Sequence, residues 1–193
     1  SGRGWCGFRL KQYDVGIASF SELINKHPQH EVTLEANYGR ALCYYKKQDY
    51  EHAIEDLDTY LKTDPPVNRR SNALYLRGLS LIETKRYEDA VQSLTTLLND
   101  SPEYASADRV KYQLAWTYKL LNQRPDAVQW FTKITLEHDQ SAHVAEAFYH
   151  LAENAYWHEH DYAVALDNYQ RCRRLAADEN LTEKAIYMEA WCK

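Results

Sequence analysis

Small and large apolar residues recur along this chain at a fixed interval. One small column runs Gly16, Ala53, Ala90, Ala127 and Ala165, with steps of 37, 37, 37 and 38 residues. Four positions on, each is answered by a large residue: Phe20, Leu57, Leu94, Phe131 and Tyr169. One small and one large residue a turn apart on the same face let a second helix approach closely. A second small column, Gly4, Ala41, Gly78, Ala115 and Ala152, stands twelve positions earlier, or thirteen in the last full repeat. Twelve positions after the first column come Pro28, Pro65 and Pro102, replaced by Asp139 and Ala177. Proline there cannot continue a helix but fits the first turn of the next, and Ser101-Pro102-Glu103 reads as cap, first turn and acidic start. The pattern therefore predicts two helices per repeat with a short corner between them. Gly4-Trp5-Cys6 is echoed by Ala190-Trp191-Cys192, so the period spans the chain and points to a solenoid.

These columns resemble the tetratricopeptide-repeat family, whose units place Trp-x-x-Leu-Gly-x-x-Tyr on one helix and Ala-x-x-x-Phe, then Pro, on the other. The matching segments are Leu76-Arg77-Gly78, Gln113-Leu114-Ala115-Trp116-Thr117-Tyr118 and Asp49-Tyr50-Glu51-His52-Ala53-Ile54. The resemblance implies an all-α fold, a right-handed superhelix of tandem antiparallel helix pairs. It divides residues 1–193 into one array of about five repeats, 1–29, 30–66, 67–103, 104–140 and 141–178, with a partial repeat at 179–193. The family's usual repeat is about 34 residues, so each unit here carries about one extra helical turn. In this long style, with segments such as Ala147-Phe148-Tyr149-His150-Leu151-Ala152-Glu153-Asn154-Ala155-Tyr156, the chain resembles bacterial envelope scaffolds of the Tol-Pal coordinator and outer-membrane assembly lipoprotein kind. That resemblance implies a periplasmic or envelope location, with the cytoplasm as the alternative. Both ends fall within the first helix of a repeat, which predicts a piece excised from a longer protein, one whose open ends could pair copies into a homo-oligomer.

By analogy with the family, the first helices line the concave wall. Counting from the small residue of the first helix, the position three before it holds Tyr38, Tyr75, Tyr112, Tyr149 and Tyr187. One place after it stand Trp5, Leu42, Leu79, Trp116, Glu153 and Trp191, and four places after it Phe8, Tyr45, Ile82, Lys119 and Tyr156. The groove edge, six before, carries Glu35, Asn72, Arg109, Glu146 and Lys184. The resemblance thus implies a partner-binding groove made by Tyr38, Tyr45, Tyr75, Arg109, Tyr112, Trp116, Lys119, Glu146, Tyr149, Glu153 and Tyr156. Two readings of the tyrosine column stay open: packing against the preceding repeat, or direct contact with a protein or peptide segment, since aromatics are enriched at binding surfaces. Family members that clamp a peptide's terminal carboxylate use Lys and Asn in these columns. Here Tyr, Trp and Leu occupy them, so that clamp is absent as a set. Tyr13, Tyr50, Tyr87 and Tyr162 form a separate column at the corner, read as structural.

Composition narrows the partner. With 23 Lys and Arg against 28 Asp and Glu, the net charge is −5, the opposite of the basic surplus a nucleic-acid binder needs. No stretch approaches the run of about 18 apolar residues of a membrane span, which predicts no direct membrane insertion. No Gly-rich phosphate loop appears and no cofactor is expected. Cys6, Cys43 and Cys192 share one column and Cys172 takes a small-residue place; all four read as buried small apolar residues. Such thiols fit a cytoplasm better than an oxidising compartment. His143, Glu146, His150 and Glu153 lie on one helical stripe, but residues seven apart are separated by about 10.5 Å along a helix. The two histidines cannot share a metal, and no metal site is expected. His158-Glu159-His160-Asp161 reads as a solvated turn. No nucleophile stands in a motif with its base, so the chain is expected not to be an enzyme. A non-catalytic protein-interaction scaffold is the leading reading. A glycan-binding module of the cell envelope and a self-assembly element of a larger repeat protein are the alternatives.

Overall fold

The computed structural model describes residues 2–28, 30–137 and 140–193, and the chain divides into two compact units, Ser1–Tyr104 and Ala105–Lys193. Asp139, the fourth member of the proline column, lies outside the described residues. The first unit contains α1 (Gly2–Arg9), α2 (Tyr13–Lys26), α3 (Glu31–Lys46), α4 (Tyr50–Leu61), α5 (Val67–Glu83) and α6 (Tyr87–Asp100). The second contains α7 (Ala107–Leu120), α8 (Arg124–Glu137), α9 (Val144–Asn154), a π-helical turn (Ala155–Glu159), α10 (Tyr162–Leu175) and α11 (Glu179–Trp191). Within each unit every helix packs on the next, and in the first unit α1 also touches α3 and α3 touches α5. No strand occurs among the described residues.

The two small columns and the large column are what hold each pair together. Phe20, Leu57, Leu94 and Tyr169 have no exposed surface and Phe131 keeps only 2%. Their partners on the first helices, Gly4, Ala41, Gly78, Ala115 and Ala152, are all buried. A Cβ placed on Gly4 would stand 2.6 Å from the Phe20 ring, and one on Gly78 would stand 2.6 Å from Leu94 Cδ2. At these two crossings the missing side chain is what admits the large residue of the facing helix, a close approach that interior packing density rewards.

The corners repeat as faithfully. Lys11, Gln48, Lys85, Asn122 and His160 each take a left-handed backbone, with φ between 56° and 63°, and each precedes the second helix by two residues. The amide of the residue after each then closes the helix end: Gln12 to Gly7 O, Asp49 to Tyr44 O, Arg86 to Leu81 O and Gln123 to Tyr118 O, at 2.8–3.0 Å. This is the closure that satisfies carbonyls left open at a helix C-terminus. Tyr13, Tyr50 and Tyr162 begin their helices and meet Phe8, Tyr45 and Tyr156 with ring centroids 6.0, 5.6 and 5.1 Å apart.

Two sequence expectations require correction. The prolines precede the first turns instead of occupying them: α5 starts at Val67 after Pro65 and Pro66, and α7 starts at Ala107, five residues beyond Pro102. Ser101-Pro102-Glu103-Tyr104 is a turn closed by the Tyr104 amide on Ser101 O at 3.1 Å, with proline at the position whose φ it presets. A proline also disfavours α geometry in the residue before it, which keeps Pro65 out of the helix. The second correction concerns the cysteines. Cys43 and Cys172 are buried, but Cys6 is exposed and Cys192 is half-buried. Cys43 owes its burial to α2, since a Cβ on Gly16 would lie 2.7 Å from its sulfur; among the described residues no helix covers Cys6 on the equivalent face of α1. Burial raises the Cys43 thiol to about 11 and the Cys172 thiol to about 12, so neither carries thiolate at neutral pH.

The first unit contains a polar device at the same crossings. Arg40, next to Ala41, donates from Nε and Nη2 to Asp56 at 2.8 and 2.7 Å, and from Nη1 to Ser21 Oγ at 2.8 Å. Arg77, next to Gly78, donates from Nε to Asp58 at 2.6 Å and from Nη1 to Ser93 Oγ. Ser21 and Asp58 hold equivalent positions on α2 and α4, as do Asp56 and Ser93 on α4 and α6. Each arginine therefore ties the second helix of one pair to that of the next through one carboxylate and one hydroxyl, with the order exchanged between the two copies. In the second unit Leu114, fully buried, stands where the arginine would be.

Candidate functional site

Tyr112, Trp116 and Lys119 of α7 meet two His–Glu pairs of the next repeat, His143 with Glu146 and His150 with Glu153. Tyr112 stacks on the His143 ring with centroids 4.4 Å apart and planes at 16°, and turns an edge to Phe131 of α8 at 6.2 Å. His143 Nδ1 approaches Glu146 at 3.5 Å. The His143 hydrogen bond lowers the Glu146 carboxyl below its ordinary range; burial opposes this and the Tyr112 hydroxyl assists it. Burial, followed by the Glu146 charge, raises the Tyr112 phenol well above its usual value.

One turn further on, Trp116 keeps 36% of its surface exposed. Its ring packs on His150 at 5.6 Å, and Lys119 Nζ lies 5.3 Å from its centroid. Lys119 Nζ stands 3.3 Å from Glu153 and 3.0 Å from His150 Nδ1, while that same Nδ1 stands 2.8 Å from Glu153. A lysine only donates and a carboxylate only accepts, so Nδ1 cannot serve both in one tautomer. The shorter contact favours the proton on Nδ1, donated to Glu153. Burial would raise the Glu153 carboxyl, but the His150 hydrogen bond and the Lys119 charge outweigh it and hold it low. The result is a flat indole braced by His150 and Lys119, with the Lys119–Glu153 ion pair beside it.

The other residues singled out are placed differently. Arg109 is exposed on the first turn of α7. Tyr149 is half-buried against Tyr169 of α10, with centroids 5.6 Å apart. Tyr156 is engaged at the corner, 4.7 Å from Trp157 and 5.1 Å from Tyr162. In the first unit Tyr38 packs on Tyr60 of α4 at 5.3 Å, Tyr45 on Tyr50 at 5.6 Å and Tyr75 on Tyr104 at 6.4 Å. These rings are half-buried, each seated on an aromatic residue outside the first helices, whereas Tyr187 on α11 is 63% exposed. Glu35 pairs with Arg69 across α3 and α5. The His143 to Glu153 stripe resolves into two separate His–Glu pairs, and no group of three potential metal ligands gathers among the described residues. His158, Glu159, His160 and Asp161 are exposed at the corner. Residues that sequence columns did not single out for the site are Arg124, Val128, Phe131 and Trp157, which form a cleft beside Lys119 and Glu153. The one signal that marked the place is the extra residue of the fifth repeat.

Seating on Tyr60 has a measurable consequence. Burial, then the neighbouring Tyr60, pushes the Tyr38 phenol from 10.0 to about 12. A raised phenol contributes stability that is whole below its unfolded value and is lost as pH climbs through the folded one. Ultraviolet titration of the tyrosines should therefore show a late phase near pH 12 that diminishes by one phenol in Tyr38→Phe. An unaltered late phase would place that hydroxyl in water.

Comparisons with known proteins agree on the architecture. The family described as YfiO, outer membrane lipoprotein, matches residues 7–89, less than half of the chain. No curated protein matches significantly. Among solved structures, one titled as YrrB, a TPR protein with an unusual peptide-binding site, is 15% identical with a TM-score of 0.75, covering 95% of this chain and 88% of its own. MamA is 16% identical at 0.71, covering 97% and 95%, and PilF of Pseudomonas aeruginosa is 18% identical at 0.68, covering 98% and 85%. No helix among the described residues is long and apolar enough to cross a membrane. Repeated helix pairs, small residues at every crossing and these likenesses together give the chain the tetratricopeptide-repeat fold.

Proposed function

We propose that this chain is a non-catalytic protein-interaction scaffold, its repeats forming one array whose first-helix face receives an extended or helical segment of another protein. The observation that carries the proposal is Trp116: a large aromatic left 36% exposed, braced by His150 and Lys119, with the Lys119–Glu153 ion pair beside it. Such an indole offers apolar area at little conformational cost, and paired charges beside it direct orientation more than they add affinity. Tyr112, Arg109, Glu146, Glu153 and Tyr149 extend the same surface on α7 and α9. Tyr38, Tyr45 and Tyr75 give the first unit a comparable row, with Tyr156 at a corner of the second. YrrB, which shares the fold, carries a peptide-binding site by its title, and this supports a peptide as the ligand class.

The test uses segments selected from a displayed random-peptide library. Trp116→Ala, alone and with Tyr112→Ala, should weaken the selected segments at least tenfold, or about 1.4 kcal/mol. Trp116→Ala should also leave the helical circular dichroism and unfolding midpoint near those of the parent chain. Binding that survives undiminished in a folded double variant would show that these rings merely pack.

A further inference from the structure

The fifth repeat is one residue longer than the others between its two small columns, and the structure shows where that residue goes. Ala155–Glu159 forms a π-helical turn. The corner still closes, but through the Asp161 amide to Ala155 O at 3.0 Å, six residues apart where the other four corners close over five. Single π turns are inserted residues within an α-helix and are frequent at functional sites. One added residue moves the side chains that follow by about 100° around the axis. Within that turn Trp157 is 59% exposed and lines a cleft of about 310 Å³ in the second unit.

The cleft has an apolar floor and a positive rim. Val128 and the nearly buried Phe131 of α8 give the floor, and Trp157, Lys119 and Arg124, all exposed, line the rest. Glu153 also reaches it, but that carboxylate is taken by Lys119 and His150. Arg124 is exposed and makes no ion pair among the described residues. The ionised groups therefore sum to one positive charge beside a surface that favours a ring. Its volume is at the lower end of ligand pockets, enough for one large side chain and its neighbour.

We propose that this cleft is the anchoring subsite of the scaffold, taking an aromatic or large aliphatic side chain of a partner protein that stands next to an acidic residue. The side chain enters between Trp157 and the floor at Phe131, and the adjacent carboxylate meets the Arg124 guanidinium, a planar fork suited to it. Buried aromatic anchors with a charged partner at the rim are the usual carriers of interface energy. The extra residue thereby gains a purpose: it builds a wall that the shorter repeats lack. This inference rests on the scaffold reading and adds the chemistry of what is bound.

The probe is a phage-displayed library of random sixteen-residue segments, panned against the full chain and then synthesised as capped peptides. Enriched segments should carry Asp or Glu beside Phe, Trp, Tyr or Leu. Their affinity should fall at least tenfold in Arg124→Glu and in Trp157→Ala, two exposed positions whose replacement leaves the helical spectrum intact. Deletion of His158, which restores the spacing of the other repeats and removes a residue that lines the cleft, should abolish the same binding. Enriched segments that lose affinity in Trp116→Ala but bind Arg124→Glu and Trp157→Ala normally would overturn the cleft and leave the scaffold standing. Enriched segments that are basic or uncharged would overturn it also. A library with no enrichment at all would remove both proposals.

Discussion

Arg40→Leu should lower the stability of the first unit by about 3–5 kcal/mol, the usual result of removing one partner from a buried ion pair. Asp56 keeps 8% of its side chain exposed and Arg40 keeps 20%, so the orphaned carboxylate would have neither a partner nor ready access to water. Adding Asp56→Leu should recover most of the loss, bringing the double variant within about 1 kcal/mol of the parent, because two well-packed apolar side chains can replace a buried pair of similar volume. The fold itself supplies the precedent: Leu114 occupies the arginine position in the second unit and is fully buried. Arg77→Leu serves as an internal control. Its partner Asp58 is 40% exposed, so water can solvate the abandoned charge, and the loss should be clearly smaller than for Arg40. Urea unfolding followed by circular dichroism reads the parent, both single variants, the double variant and Arg77→Leu, and the coupling between Arg40 and Asp56 follows from the cycle. If Arg40→Leu costs less than about 1 kcal/mol, or if the second change fails to rescue it, the pair does not bind the repeats together.

The way these features were distributed between sequence and structure has a physical basis. Columns of small and large apolar residues are legible because burial at a helix crossing selects size at one position irrespective of neighbours. Gly4 against Phe20 and Gly78 against Leu94 are cases in point. The corner tyrosines Tyr13, Tyr50, Tyr87 and Tyr162 are legible because each begins a second helix at a corner of the same geometry. The arginine ties are not. Their partners exchange places between α4 and its neighbours, so no single column records an acid, and only three-dimensional juxtaposition pairs Arg40 with Asp56 and Arg77 with Asp58. Exposure of Cys6 escaped the pattern because its column is buried by the preceding repeat, a property of the neighbour and not of the residue. In the candidate site, the positions of Tyr112, Trp116 and Lys119 on one face follow from helical spacing. That His143 and His150 would brace them does not, since those contacts come from the next repeat. The added residue of the fifth repeat was visible as a step of 38, but whether it would lengthen a loop or widen a helix depended on the corner closure that Asp161 retains.

Phe131→Ala should be among the most damaging single truncations in the second unit, at about 3–5 kcal/mol. The ring is 2% exposed and meets Ala115 across the α7–α8 crossing. It also meets Tyr112 at 6.2 Å and His150 at 4.8 Å, and it forms part of the floor of the cleft. Truncation therefore leaves a void where two groups of the binding face converge, and the cost includes both the lost transfer energy and the unfilled cavity. Trp116→Ala, by contrast, removes a larger ring from a position that is 36% exposed and should cost clearly less stability than Phe131→Ala. Phe131→Leu separates the two roles of the ring. A branched aliphatic of nearly the same volume should restore most of the stability, to within about 1.5 kcal/mol. It cannot offer an aromatic surface to His150, so the brace beneath Trp116 and the floor of the cleft should remain altered and binding should stay weak. Thermal or denaturant unfolding measures the first effect and peptide affinity the second. A Phe131→Ala midpoint indistinguishable from that of the parent would mean the ring is not packed as described, whereas full binding by Phe131→Leu would show that the floor asks only for apolar volume.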